Sequence, residues 1–501
     1  MAALAVAIVA GAAPCDAQPP PAPPQAAVLQ APAFASPAGR RFAELIALVN
    51  AGDGEALTRF AHEAFSPSML RVTANDPGIL GFLAEQHATF GGFDVIRVLD
   101  SGPEQIGVLV RPRRDPSRTL RYVVGAEPEP PHRVTGLFLF PAPPDATGSE
   151  GEALDVDSAV AELDRAVERA AAAGRFSGTF LLARHGAPLL RRAYGEANRE
   201  HHALNRPETL FSLASVSKMF TAVAVARLVE EGRIGWDDPV SKHLDGWLPP
   251  DLAARITVRH LLTHTSGLGD YLGEVADGSR VLLLRDVEAY RTLCAEAGAS
   301  GEPGSEFRYS NLGYVVLGAI IEAVSNRDYY DFVRDEVFRP AGMARSAWYS
   351  ADEVVEGRAT GYCRGTEIGR EGEGDGWYTN DFLHGVRGTP AGGSHSNVDD
   401  LLAFANALRS HTLIGAATTD SLLAPRVVAP MGGEYAFGFL VGRGRSGGRS
   451  FGHAGGFPGV STSFRVWPES GWTLIALSNV SGGADEVVET WRGLMARIHE
   501  P

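Results

Sequence analysis

Lysine is almost missing from this 501-residue chain: of 45 lysines and arginines only Lys218 and Lys242 are lysine, leaving 43 arginines. Cysteine is scarce too, with three in all, Cys15, Cys294 and Cys363. The last two, far apart, support neither a disulfide framework nor a zinc site, and no metal site is expected. No HExxH, EF-hand loop, Walker A sequence or Rossmann glycine pattern occurs, so no cofactor is implied. Beyond the N-terminus no apolar run reaches the roughly 18 residues needed to cross a bilayer. Positive charge is also short. With 60 acidic residues the formal net charge is −15, which argues against a nucleic-acid partner. The densest basic run, "RPRRDPSR" (Arg111 to Arg118), falls between two β-like segments and reads as a solvated hairpin loop.

What is present is ordinary globular chemistry, with 45% hydrophobic and 21% charged residues, in a length that suits two or three domains. Residues 1–17 carry an apolar run followed by small residues, "AVAIVAGAAPCDA" at their end. They are expected to be a signal peptide, making the protein periplasmic or secreted. Proline-rich stretches at 18–39 and 144–157 read as linkers. Between them, residues 40–143 open with helical spacing (Phe42, Leu45, Ile46, Val49) and then alternate as antiparallel strands in "IGVLVRP", "RTLRYVVGAE" and "RVTGLFLFP". That order indicates a small α+β domain with its helices on one sheet face. It resembles the NTF2-like or cystatin-like domains. From 158 to 499, helix and strands at the start and strands and helix at the end predict one sheet built from both ends, with a helical subdomain inserted.

One of the two lysines lies in "SLASVSKMFTAVAVARLVEEG", three residues after Ser215. Met219, Ala222, Val223, Ala226 and Val229 recur at helical spacing, so Ser215 sits near a helix N-terminus and Lys218 falls on the same face. A serine hydroxyl needs a neighbouring base to act as a nucleophile. Lysine can supply one when burial lowers its pKa; arginine stays protonated and cannot. Alone, S-x-x-K arises readily by chance. Further on, Tyr309-Ser310-Asn311 precedes a second apolar helix and pairs a phenol able to move a proton with a carboxamide able to hold a substrate amide. His453-Ala454-Gly455-Gly456 stands beside a likely edge strand, where glycines let a substrate backbone approach.

Ser215-Val216-Ser217-Lys218, Tyr309-Ser310-Asn311 and His453-Ala454-Gly455, with "LLTHTSGL" (261–268) and "GTPAGGSHSNVDDLLAFANAL" (388–408) between them, resemble the serine β-lactamase and penicillin-binding-protein superfamily. The likeness is to the branch of class C β-lactamases, D-alanyl peptidases and esterases, and it covers about two thirds of the chain. It implies a β-lactamase-like fold, an antiparallel sheet flanked by helices plus a helical subdomain, and a serine hydrolase that needs no metal. By resemblance Ser215 is the acylated nucleophile, Lys218 its base and Tyr309 a proton carrier. Asn311 holds the substrate's acyl-side amide or carbonyl, and the N–H groups of Ser215 and Gly456 form the oxyanion hole, with His453 and Gly455 lining the same strand. His264 and Ser266 are expected to order a buried loop, and His395 stays ambiguous. The usual Lys-Thr-Gly of the third motif is His-Ala-Gly here, which removes the cation that meets a substrate carboxylate. The implied substrates are small-molecule esters, then D-amino-acid peptides or amides, then β-lactams. A slow-turnover binding or sensing protein is the competing expectation.

Overall fold

The computed structural model of the protein describes residues 32–66, 69–70, 78–114, 116, 119–142, 153–271, 283–299, 301–368, 376–429, 433–443 and 448–498. The expected signal peptide, residues 18–31 of the first linker and 144–152 of the second lie outside them. Among the described residues the chain divides into two compact units, one built on 155–428 and 433–488 and a smaller one built on 32–154 and 489–498.

In the smaller unit, helices α1 (Pro37–Ala51), α2 (Gly54–Ala64) and α3 (Gly78–Phe90) precede four antiparallel strands. These are β1 (Phe93–Ser101), β2 (Gln105–Pro112), β3 (Thr119–Ala126) and β4 (Val134–Ala142), paired in chain order. The α+β order read from the sequence is therefore present. Structure begins earlier than the linker reading of 18–39 allows. Ser36 caps α1 by accepting the Gly39 N–H at 3.1 Å, Pro37 occupies the first turn, and Phe34 is buried against Phe42 at 5.7 Å. Proline at a helix start is favourable, so a proline-rich composition there does not mean extended chain. Phe42, Leu45, Ile46 and Val49 are fully buried, and Phe42 meets Tyr122 of β3 edge-on at 5.6 Å.

The larger unit opens with α4 (Val156–Ala172), capped by Asp155, and then β5 (Gly178–Arg184) and β6 (Ala187–Tyr194). It ends with β7 (Val427–Val428), β8 (Glu434–Tyr435), β9 (Leu440–Arg443), β10 (Arg449–Phe457), β11 (Val460–Trp467) and β12 (Trp472–Ser478). All eight form one antiparallel sheet in the order β7-β8-β9-β10-β11-β12-β5-β6, so the early hairpin pairs with the last strand, Phe180 facing Ala476. One sheet from both ends is the expected arrangement, and its middle is helical: α5 (Lys218–Glu230), α6 (Asn311–Ser325) and α7 (Val398–Arg409). Residues 218–226 of α5 and 311–321 of α6 are buried on every side, as core helices are. Phe220 meets Phe338 at 4.9 Å and Phe404 at 5.0 Å. Each such side chain contributes about 1.5–3 kcal/mol by leaving water, which fixes α5 and hence its first turn.

Two features of this frame set the surroundings of Ser215. The short strand Phe211–Ser212 pairs with His395–Ser396 immediately before it. β9 pairs with β10 only over 449–452, so among the described residues nothing pairs with 453–457 on that side.

Candidate active site

Ser215 lies on a 3-10 turn, Ala214–Ser217, that runs directly into α5. Ala214 has φ +43°, a costly conformation for a residue with a Cβ. Its carbonyl is fixed by the Ser217 hydroxyl at 2.8 Å and the Gly393 N–H at 3.2 Å, and the Thr462 hydroxyl holds the Leu213 carbonyl at 2.9 Å. β10 closes on the same turn through Gly455. A Cβ there would stand 2.4 Å from Leu213 O and 3.0 Å from Ser215 N, so only glycine fits.

Lys218 is wholly buried, its Nζ 3.2 Å from Ser215 Oγ. It donates to Asn311 Oδ1 at 2.7 Å and to the Ala391 carbonyl at 2.6 Å. Burial lowers its pKa to about 7, against the opposing pull of the Asp270 carboxylate. A neutral amine has two N–H groups and one lone pair. The two acceptors use both hydrogens, leaving the lone pair for the Ser215 hydroxyl. The Tyr309 hydroxyl also hydrogen-bonds with Ser215, and desolvation pushes that phenol well above its ordinary pKa.

Asn311 opens α6, where Ser310 caps the helix by accepting the Gly313 N–H at 3.1 Å. Asp270 Oδ2 accepts from both Asn311 Nδ2, at 2.9 Å, and Asn311 N, at 3.2 Å. With Oδ1 taken by Lys218, one Nδ2–H remains for a substrate. Behind Tyr309 lies the expected buried loop. His264, stacked on Tyr309 at 4.1 Å, accepts the Ser310 N–H on Nδ1 at 3.1 Å, so its Nε2–H donates to the Tyr435 hydroxyl at 3.2 Å. The Ala454 carbonyl can only accept, so His453 carries its hydrogen on Nδ1 and takes the Tyr435 O–H on Nε2 at 2.9 Å. Burial, then the nearby Lys218, holds His453 down to about 3. Both histidines are neutral spacers, and His264 and Ser266 are fully buried.

The structure thus brings Ser215, Lys218, Tyr309 and Asn311 together, with Gly455 against the turn. Ser215, Asn311 and Gly456 line an open cleft, which His395 also lines. His453, expected among the substrate contacts, is instead 3% exposed with both ring nitrogens engaged. Asp270, the Ala391 carbonyl, Tyr435 and Thr462 were not read from the sequence, since no spacing marks them.

A Beta-lactamase family profile matches residues 163–496. The chain belongs to the β-lactamase family. This β-lactamase-family serine hydrolase is 34% identical to penicillin-binding protein 4* of Bacillus subtilis over 321 residues, 61% of this chain and 68% of that protein. It is 39% identical to esterase EstB of Burkholderia gladioli over 219 residues, 40% of this chain and 54% of that one, spanning about half of that relative. Among solved structures, a penicillin-binding protein of Bacillus halodurans superposes with TM-score 0.59 at 29% identity, over 66% of this chain and 98% of its own.

Proposed function

We propose that Ser215 is the nucleophile of a two-step acyl transfer to water, acting on ester bonds of small molecules first and on D-amino-acid amides second. The observation that carries this reading is the buried Lys218, 3.2 Å from Ser215 Oγ with both N–H groups of its neutral form engaged elsewhere. At neutral pH a large fraction of an amine with pKa about 7 is unprotonated and can take the serine proton as Oγ attacks the carbonyl. The developing oxyanion is met by the N–H groups of Ser215 and Gly456, aided by the N-terminal end of α5. Tyr309, whose phenol stays protonated, passes a proton to the leaving oxygen or nitrogen and is reprotonated from Lys218. Water then repeats the sequence against the acyl-enzyme and releases the acid.

A neutral, buried His453 offers no cation to a substrate carboxylate from the third motif, which ranks β-lactams below esters and amides. The esterase relative supports the same order. A fluorophosphonate probe should label Ser215, and p-nitrophenyl esters should be hydrolysed with the same residue acylated. An unlabelled protein that also leaves such esters intact overturns the proposal.

A further inference from the structure

The strand that leads to Ser215 is flanked by two side chains that the acyl-transfer reading does not use. On one side Leu210 bridges Arg358, and the Ala359 N–H donates to the Leu210 carbonyl at 2.9 Å. On the other, His395 pairs with Ser212 and is pinned by hydrogen bonds both ways with Ala347, at 2.7 and 3.1 Å. Arg358, His395 and His384 all line the cleft that contains Ser215.

Together they give that cleft a fixed cation, Arg358, and two imidazole rings. Arg358 is held by the neutral carbonyls of Ser350 at 2.7 Å, Ala351 at 3.3 Å and Glu353 at 3.0 Å. It makes no ion pair among the described residues. His395 Nδ1 is buried without a partner, whereas Nε2, which also makes no hydrogen bond among the described residues, is not buried. An orphaned N–H is rarer inside proteins than an orphaned acceptor, so the ring hydrogen belongs on Nε2, as a donor to the cleft. Burial first, then Arg358 and His384 nearby, hold this ring neutral, at about 3. His384 turns Nδ1–H to the Gly385 carbonyl at 2.8 Å. The carboxylate that does line the cleft, Asp381, is exposed. A guanidinium held only by neutral carbonyls and a ring N–H without a protein partner, lining one cleft, suit a carboxylate.

We propose that this cleft holds a carboxylate subsite, in which Arg358, the His395 Nε2–H and His384 receive an anionic group of the substrate while its scissile carbonyl lies at Ser215. The subsite rests on the acyl-transfer reading of Ser215 and specifies its substrate class. It also relocates anion recognition from the third motif, where His453 offers none, to the opposite end of the nucleophile's own strand.

The test compares two ester pairs matched in size: 4-nitrophenyl hexanoate with mono-4-nitrophenyl glutarate, and 4-acetoxybenzamide with 4-acetoxybenzoate. The first pair puts the carboxylate on the acyl side, the second on the leaving group. In one pair the wild-type kcat/KM should favour the anionic ester. His395→Leu and Arg358→Met should each cut that anionic-to-neutral ratio about tenfold, chiefly through KM. His395→Gln, which keeps an N–H near the Nε2 position, should restore most of it. Should Arg358→Met fail to fold, the Leu and Gln variants of His395 decide alone. Ratios that favour the neutral ester in both pairs, or that no variant moves, overturn the subsite while leaving the hydrolase intact. No cleavage of any ester, with Ser215 unlabelled by a fluorophosphonate, overturns the hydrolase itself and the subsite with it.

Discussion

Lys218 and Asp270 act on each other through one asparagine. Asn311 accepts from Lys218 on Oδ1 at 2.7 Å and donates to Asp270 from Nδ2 at 2.9 Å, so it orients the amine while the carboxylate supplies field. Burial lowers the lysine pKa and Asp270 raises it, and the balance rests at about 7. The single lysine in the core of an arginine-rich chain is thereby able to lose its proton where the serine needs a base.

Replacing Lys218 by arginine keeps the charge and removes that ability. Lys218→Arg should lower the rate of Ser215 labelling by a fluorophosphonate by at least about 10²-fold, the scale of a lost general base. Lys218→Met, closer in volume, should lose as much activity. Its effect on stability has two opposed parts: it takes a charge out of a wholly buried site, and it leaves Asn311 Oδ1 and the Ala391 carbonyl without their donor. The folded-state pKa is lowered, so wild-type stability rises with pH from about 7 towards lysine's ordinary 10.5. The Met variant's Tm relative to wild type should therefore be highest at or below pH 7 and fall above it. Thermal melts across that range check the sign. A Lys218→Arg enzyme with near-normal labelling contradicts the assignment.

The active form is the unprotonated amine, so kcat/KM for a neutral p-nitrophenyl ester should fall tenfold per pH unit below about 7 and level off above it. Asp270→Asn removes the carboxylate that raises the lysine while leaving an oxygen to accept both Asn311 N–H groups. The acid limb should move to lower pH in that variant. A limb that stays in place, or moves up, shows that another group titrates.

Tyr309→Phe should separate the two proton carriers. Its phenol stays protonated by desolvation, so it acts as a donor and does not set the acid limb. The variant should lose about 10²-fold or more in kcat on esters with poor leaving groups and less on p-nitrophenyl esters, with the limb unmoved. Equal losses on both ester types would place Tyr309 in positioning rather than proton transfer.

Much of this site is legible in the sequence because its parts are local. Ser215 and Lys218 stand one helical turn apart, Tyr309 and Asn311 sit at one helix start, and each pair needs only short-range geometry to be recognised. Asp270 and the Ala391 carbonyl come from separate loops, and a main-chain oxygen leaves no residue type to notice. His453 shows the opposite failure. The motif was visible, but whether its ring meets substrate or core depends on Tyr435 and His264, remote in sequence. The apolar stripe read on α5 understates its burial: Phe220, Thr221 and Val225 lie off that stripe and are buried too, because core surrounds the helix.

Gly455 offers the sharpest steric test of how the turn is held. Its backbone needs no left-handed conformation, so alanine meets only contacts: 2.4 Å to Leu213 O, 2.5 Å to Thr462 Oγ1 and 3.0 Å to Ser215 N. Two of the three belong to backbone that carries the nucleophile, and the third is the hydroxyl that braces it. Gly455→Ala should therefore cost about 1–3 kcal/mol of stability and, by displacing Ser215 N from the proposed oxyanion position, about 10²-fold or more in kcat. Gly442→Ala on the neighbouring strand β9, where the nearest atom would be Ser450 Oγ at 3.8 Å, should stay within about 0.5 kcal/mol of wild type and keep its activity. Denaturant melts and p-nitrophenyl ester kinetics on the two variants measure both effects. A Gly455→Ala enzyme as active as Gly442→Ala would mean that β10 does not define the geometry at Ser215.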